Sequence, residues 1–151
     1  MAFAFKLLGL RNHSRRELER KLFKKGYDAG SVEEVMEKLT SRGLLDDRAF
    51  GIELIRGRSR RKPSGKLKIG AELRKKGVEE AIIGELLKEY DSAGLCRQAA
   101  EKKFRLLHEA TEAGCKRKLE VFLLNRGFEW REIQAELKRL FQSGMDFEEP
   151  C

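Results

Sequence analysis

Three glycine-centred tripeptides, Lys25-Gly26-Tyr27, Lys76-Gly77-Val78 and Arg126-Gly127-Phe128, constrain this chain more than any other feature. Their glycines stand 51 and 50 residues apart, which marks an internal repeat. Eight residues before each glycine stands Leu18, Ile69 or Leu119, and four before it Leu22, Leu73 or Leu123. After it the pattern resumes with Val32, Ile83 and Ile133, then Met36, Leu87 and Leu137, then Leu39, Tyr90 and Leu140. Spacings of three and four residues put each set on one face of a helix. Each unit therefore reads helix, glycine, helix, because a helix end commonly needs one residue in the left-handed conformation, which a residue without Cβ adopts cheaply. The apolar residue after the glycine can seal the turn.

Ser14-Arg15-Arg16-Glu17 and Ser31-Val32-Glu33-Glu34 match the capping box, in which side chains at the cap and three residues on satisfy unpaired amides reciprocally. They predict helix starts at both places. A further helix precedes the pair in each unit: Phe3 to Leu8, Asp47 to about Arg58, and Ala93 to about Leu107, with Asp46 as a cap and Leu45 stapled to Phe50 in the second. Strict apolar/polar alternation is missing and Pro occurs only at Pro63 and Pro150, so strands are not expected. The expected fold is all-α, three tandem three-helix repeats over residues 1–43, 44–91 and 92–144, with a frayed acidic tail over 145–151. Such short units bury little alone and should pack on one another into an elongated or curved rod. The 38% of charged residues would solvate the large surface of that shape.

Cys96, Cys115 and Cys151 are odd in number and far apart, which fits reduced thiols in a cytoplasmic protein and neither a disulfide framework nor a zinc knuckle. His13 and His108 have no partner at metal-ligand spacing, so no metal and no cofactor are expected. No apolar run is long enough to cross a membrane, and the apolar start from Ala2 is broken by Lys6, so neither a span nor a signal peptide is expected.

The net charge is +8, and it is concentrated. Arg56, Arg58, Arg60, Arg61, Lys62, Lys66, Lys68, Arg74, Lys75 and Lys76 fall within 21 residues whose single acid is Glu72. Solvated faces normally mix both signs, and clustering one sign costs self-repulsion. The stretch is therefore expected to meet a polyanion or an acidic protein groove, which charge alone does not distinguish. Ser64-Gly65-Lys66 looks like the end of a phosphate-binding loop, but Arg60 stands at the first glycine position and Leu67 where Ser or Thr would bind magnesium. Other catalytic readings are equally thin. His13 and Ser14 are neighbours that rarely converge, and Ser14 is already used as a cap. Asp46 and Asp47 suit a helix start for dipole reasons alone. Phe104, Phe122, Phe128, Trp130 and Phe141 could stack on bases, yet they fall on or beside the apolar stripe and are expected in the core.

Together these residues resemble the RecX regulatory proteins of bacteria. The resemblance rests on His13-Ser14, Glu17-Leu18, Lys21-Leu22 and Lys25-Gly26-Tyr27, then on Gly43-Leu44-Leu45-Asp46-Asp47, Phe50, Ile55-Arg56 and Arg58. It continues through Gly65, Ile69, Glu72-Leu73 and Lys76-Gly77-Val78, and is weaker in the third unit, where Lys118-Leu119, Leu123, Arg126-Gly127-Phe128 and Ile133 carry it. Lys66 departs from the proline usual after the loop glycine, and Gly51, Gly57, Gly70 and Gly84 stand inside expected helices. The failed phosphate loop and the missing triad and metal ligands predict no enzymatic activity, and a monomer is expected. The resemblance implies three tandem three-helix repeats and a protein that binds the RecA recombinase filament on single-stranded DNA. There it would hinder filament extension, ATP hydrolysis, strand exchange and repressor self-cleavage, and so modulate homologous recombination, DNA repair and the SOS response. The alternative is a direct DNA-binding module or transcription regulator of helix-turn-helix type. The acidic starts Glu33-Glu34, Glu79-Glu80 and Glu129 of the helices after each glycine would face phosphate badly.

Overall fold

The computed structural model describes residues 1–142, and these form nine α-helices and no strand. Residues 143–151, with the expected tail and Cys151, lie outside the described residues. The helices are α1 (Ala2–Leu10), α2 (Arg15–Lys25), α3 (Ala29–Ser41), α4 (Asp47–Arg61), α5 (Lys66–Lys75), α6 (Glu80–Lys88), α7 (Ser92–Leu106), α8 (Glu112–Asn125) and α9 (Trp130–Gln142). Every expected helix is present. Gly26, Gly77 and Gly127 all take left-handed backbone, with φ of 108°, 83° and 80°. The amide of the residue after each glycine bonds back to the carbonyl of Leu22, Leu73 or Leu123, which closes the helix end.

Two helix starts differ in detail from expectation. Ser14 Oγ accepts the Glu17 amide at 3.1 Å, but the Glu17 carboxylate turns to Arg11 and Lys76 rather than back to the cap. α3 begins two residues before Ser31, because Asp28 caps it by accepting the Ser31 amide at 2.8 Å. Glu34 then sits in the helix body and pairs with Lys38. An aspartate one turn upstream is an equally good cap and adds a residue of helix for each position gained. Asp46 caps α4 as expected, accepting the Arg48 and Ala49 amides.

Contacts gather the chain into two compact units. One holds Met1–Arg56 with Gly70–Glu89, the other Gly57–Ile69 with the residues from Tyr90 on, so the middle repeat is shared between them. In the first unit, α1, α2 and α3 close around Leu18, Leu22, Val32, Met36 and Leu39. In the second, α7, α8 and α9 close around Cys96, Leu119, Leu123, Phe128, Ile133, Leu137 and Leu140. Leu87 is the one repeat position left half-buried. Its Cδ1 lies 3.3 Å from where a Cβ on Gly70 would stand. Gly51 likewise admits Leu86, whose Cδ1 would be 2.4 Å from an added Cβ. Phe128 is core, and Phe104, Phe122 and Phe141 pack against its cluster. Trp130 is 55% exposed and does not join the core: its spacing puts it on the face of Ile133 and Leu137, but it is the first residue of α9.

Candidate partner-binding surface

The ten basic residues singled out by sequence are divided by the fold. Arg58, Arg60, Arg61, Lys62, Lys66 and Lys68 belong to the second unit; Arg56, Arg74, Lys75 and Lys76 belong to the first. In the second unit, α4 ends in Arg58, Arg60 and Arg61, where cations suit the negative end of the helix dipole. The loop that follows is held firmly. Gly65 donates its amide to the Arg126 carbonyl at 2.8 Å and Leu67 donates to Gly127 at 3.2 Å. The Arg126 guanidinium donates to the Pro63 carbonyl at 3.1 Å, and the Tyr90 hydroxyl donates to the Ser64 carbonyl.

A Cβ on Gly65 would stand 2.2 Å from the Gly127 carbonyl oxygen, so the backbones meet at a distance no side chain permits. The glycine that sequence alone assigns to a loop is thus the contact that seats the start of α5 on the end of α8. Arg60 and Arg61 in the last turn of α4 and Lys62 at the start of this pinned loop stand exposed. Among the described residues no ion pair engages them, nor Arg56, Lys66 or Lys75. Lys68 donates to the Asn125 carbonyl at 3.4 Å, and Arg74 is paired with Glu80.

Lys76 has a structural task in the first unit. Its carbonyl accepts the Ser14 hydroxyl at 2.5 Å and its ammonium lies 3.3 Å from Glu17. Arg16 packs its aliphatic stem against Gly77, where an added Cβ would meet Arg16 Cδ at 2.3 Å. Asp47 accepts the Arg15 amide at 2.8 Å, so this aspartate satisfies the start of α2 as well as standing at the start of α4. The same joint thus occurs twice: a helix start seated on a glycine turn, Ser14 on Gly77 and Gly65 on Gly127.

Around the first joint lies a polar cluster that sequence reasoning missed. Buried His13 has Nδ1 2.9 Å from the Arg11 carbonyl and Nε2 3.0 Å from the Lys21 ammonium. A carbonyl only accepts and an ammonium only donates, so the neutral ring carries its proton on Nδ1. Burial lowers the His13 pKa, and the charges of Arg11 and Lys21 lower it further against the Arg11 carbonyl bond. Burial would raise the Glu17 carboxyl, but the Arg11 hydrogen bond and charge, with Lys76, outweigh it and hold it down at about 2. The residues span 65 positions of sequence, and only the repeat alignment of Ser14 with the first helix pair hints at the joint.

A cleft of about 350 Å³ beside it is lined by Arg15, Arg16 and Arg20 against Glu19, Asp47 and Glu79. Its balanced charge makes it a poor seat for a polyanion. Among the described residues, no group of three His, Cys, Asp or Glu could hold a metal ion, and no helix is long and apolar enough to cross a membrane.

Comparison with known proteins accounts for nearly the whole chain. Three family models match in succession, described as the first, second and third three-helix domains of RecX, over residues 1–39, 46–87 and 89–137. The "Regulatory protein RecX" of Pelodictyon phaeoclathratiforme is 67% identical over 151 residues, covering all of this chain and 94% of its relative. That of Chlorobium limicola is 52% identical, covering 97% and 92%. The fold is shared with the crystal structure of RecX from Lactobacillus salivarius, at a TM-score of 0.81, 24% identity and 92% coverage of both chains. This chain therefore belongs to the RecX family of regulatory proteins.

Proposed function

We propose that this chain is a non-enzymatic cytoplasmic regulator that binds the RecA filament on single-stranded DNA and restrains its extension, ATP hydrolysis, strand exchange and coprotease action. Through these it would modulate recombination, DNA repair and the SOS response. The three repeats, bounded near residues 43 and 91, act as successive contact modules. The observation that carries this reading is a basic helix end leading into a pinned loop: Arg60 and Arg61 in the last turn of α4 and Lys62 just beyond it are exposed and unpaired among the described residues, and the chain that follows is tied down by hydrogen bonds at Pro63, Ser64, Gly65 and Leu67. A fixed loop loses little conformational freedom when it enters a groove, and arginine can grip carboxylate or phosphate with two parallel bonds. Arg56, Arg58, Lys66, Lys68, Arg74 and Lys75 extend the basic character around it, while Lys76 serves mainly the joint with Ser14.

Inhibition on this reading is differential binding: the chain holds one filament state more tightly than the state needed for growth or turnover. The test is the filament's ATPase and strand-exchange rates with increasing amounts of the Arg60→Glu/Arg61→Glu/Lys62→Glu variant. The concentration for half-inhibition should rise at least about tenfold, since three exposed contacts to an anion are lost, while the melting temperature stays nearly unchanged. A variant that inhibits as well as the wild type removes the loop from the site. An equal loss of affinity for bare DNA would favour the direct DNA-binding reading.

A further inference from the structure

The start of α9 carries an apolar patch where the middle repeat carries charge. Three residues before and three after Gly77 stand Arg74 and Glu80, which form an ion pair across the turn. The same places around Gly127 hold Leu124 and Trp130, so two apolar side chains stand where the middle repeat has that pair. Leu124 is 45% exposed and Trp130 55%, and Val121, one turn before Leu124 on α8, is 50% exposed. Tryptophan beside exposed aliphatic residues is the composition of a contact surface rather than of a solvated one.

Trp130 also heads a row. Gln134, Lys138 and Gln142 follow it at four-residue spacing, which places them along one face of α9, and all are exposed. The row ends with α9 itself, so the chain beyond Gln142 starts at its far end. That chain reads Ser143-Gly144-Met145-Asp146-Phe147-Glu148-Glu149, and Gly144 suits a sharp reversal. From Trp130 to Gln142 the helix rises about 18 Å. The residues from Ser143 to Phe147 span about 17 Å when extended, so Phe147 can reach back to Trp130. The charges match as well. Arg131 and Lys138 are exposed along the row, and among the described residues no ion pair engages them. The second unit holds 17 Lys and Arg against eight Asp and Glu over its described residues, and the tail brings Asp146, Glu148 and Glu149 to it.

We propose that the segment after α9 folds back along this row within its own chain, seating Phe147 on Leu124 and Trp130 and bringing Asp146 and Glu148 to Arg131 and Lys138. Tethering favours the contact. A short linker holds the tail at an effective concentration in the millimolar range, so one aromatic ring and two exposed ion pairs, too little to hold a free peptide firmly, keep it closed much of the time. An outside partner of anionic and apolar character reaches this face only by displacing the tail, which thus guards the start of α9. This departs from the frayed tail expected from sequence, and it does not depend on which partner the basic end of α4 meets.

Trp130 is the only tryptophan, so its fluorescence reads the contact directly in the full chain. Emission should lie at longer wavelength, and acrylamide should quench it more, in Phe147→Ser and in Asp146→Lys/Glu148→Lys than in wild type. Loss of the ring should lower the ratio of closed to open tail about tenfold, since burying a Phe side chain contributes at least that factor. Arg131→Glu/Lys138→Glu should open the tail as well, and combining it with Asp146→Lys/Glu148→Lys should close it again, because opposite charges face each other once more. A peptide of residues 143–150 at about 5 mM, the range of the tethered tail's effective concentration, should restore wild-type emission to Phe147→Ser. Equal quenching of wild type and Phe147→Ser overturns the proposal, as does a combined reversal that fails to restore the contact. Quenching that falls as protein concentration rises would assign the tail to a second copy, and protection that appears only with single-stranded DNA or a recombinase filament would assign the patch to that partner; either result overturns it.

Discussion

Glu17 joins two parts of the sequence through a single carboxylate that faces Arg11 and Lys76, and its titration gives a direct handle on that joint. Its folded pKa, about 2, lies below the ordinary 4.5, so its contribution is complete above pH 4.5 and is lost as pH falls from there towards 2. His13 acts in the same direction: its folded pKa is lowered from 6.5, so stability is complete above that value and declines as pH falls through the folded pKa. Melting temperatures of wild type and Glu17→Gln between pH 7 and pH 3 should therefore converge as the medium becomes acid, and a constant difference would contradict the role given to this carboxylate.

Leu73 is fully buried, so Leu73→Ala should cost about 2–5 kcal/mol, read from denaturant unfolding. The cysteines offer a third test at this scale. Burial, with the charges of Glu132 and Glu136, pushes the Cys96 thiol up to about 12, and burial raises Cys115 as well. Thiolate is then scarce at neutral pH, and neither should react with a thiol reagent until the chain unfolds. Rapid native labelling of Cys96 or Cys115 would show that their helices open.

At the scale of elements, the glycine turns do two jobs that a substitution can separate. Gly26→Ala and Gly127→Ala both force a Cβ into left-handed backbone, at about 1–2 kcal/mol. Only at Gly127 does the new atom also strike a neighbour, Lys68, whose backbone nitrogen would be 2.5 Å away. Gly127→Ala should therefore cost a further 1–3 kcal/mol or so by overpacking. Equal losses of melting temperature in the two variants would mean that the joint is loose. The turns and the faces of their flanking helices were legible in the sequence because a repeat shows the same period three times. The joints were not, since they depend on where Gly65 and Ser14 arrive in space, and neither residue type announces its neighbour. Asp28 displaced the expected cap Ser31 for a reason local pattern does not decide: both residues cap well, and the longer helix wins. Trp130 was expected in the core because its spacing from Ile133 and Leu137 puts it on the apolar stripe, yet as the first residue of α9 it stays exposed.

For the whole molecule, membership in the RecX family fixes what kind of protein this is, while the basic segment suggests how it meets its partner. Charge concentration was visible in the sequence; that the fold would share the ten cations between two compact units was not, because the unit boundaries run through α4 and α5 rather than through a linker. Reversing Arg60, Arg61 and Lys62 should thus weaken inhibition of the filament more than reversing Arg74, which Glu80 already engages, with half-inhibition concentrations as the measure.

The most direct test of the regulatory reading is a titration of the chain against a preformed recombinase filament, bare single-stranded DNA and bare duplex at two salt concentrations. The filament should be bound most tightly at both, with an advantage that survives the higher salt because protein contacts are screened less than phosphate contacts alone. Equal affinity for bare DNA and filament, falling together as salt rises, would contradict a filament regulator and point to a protein that reads phosphate directly.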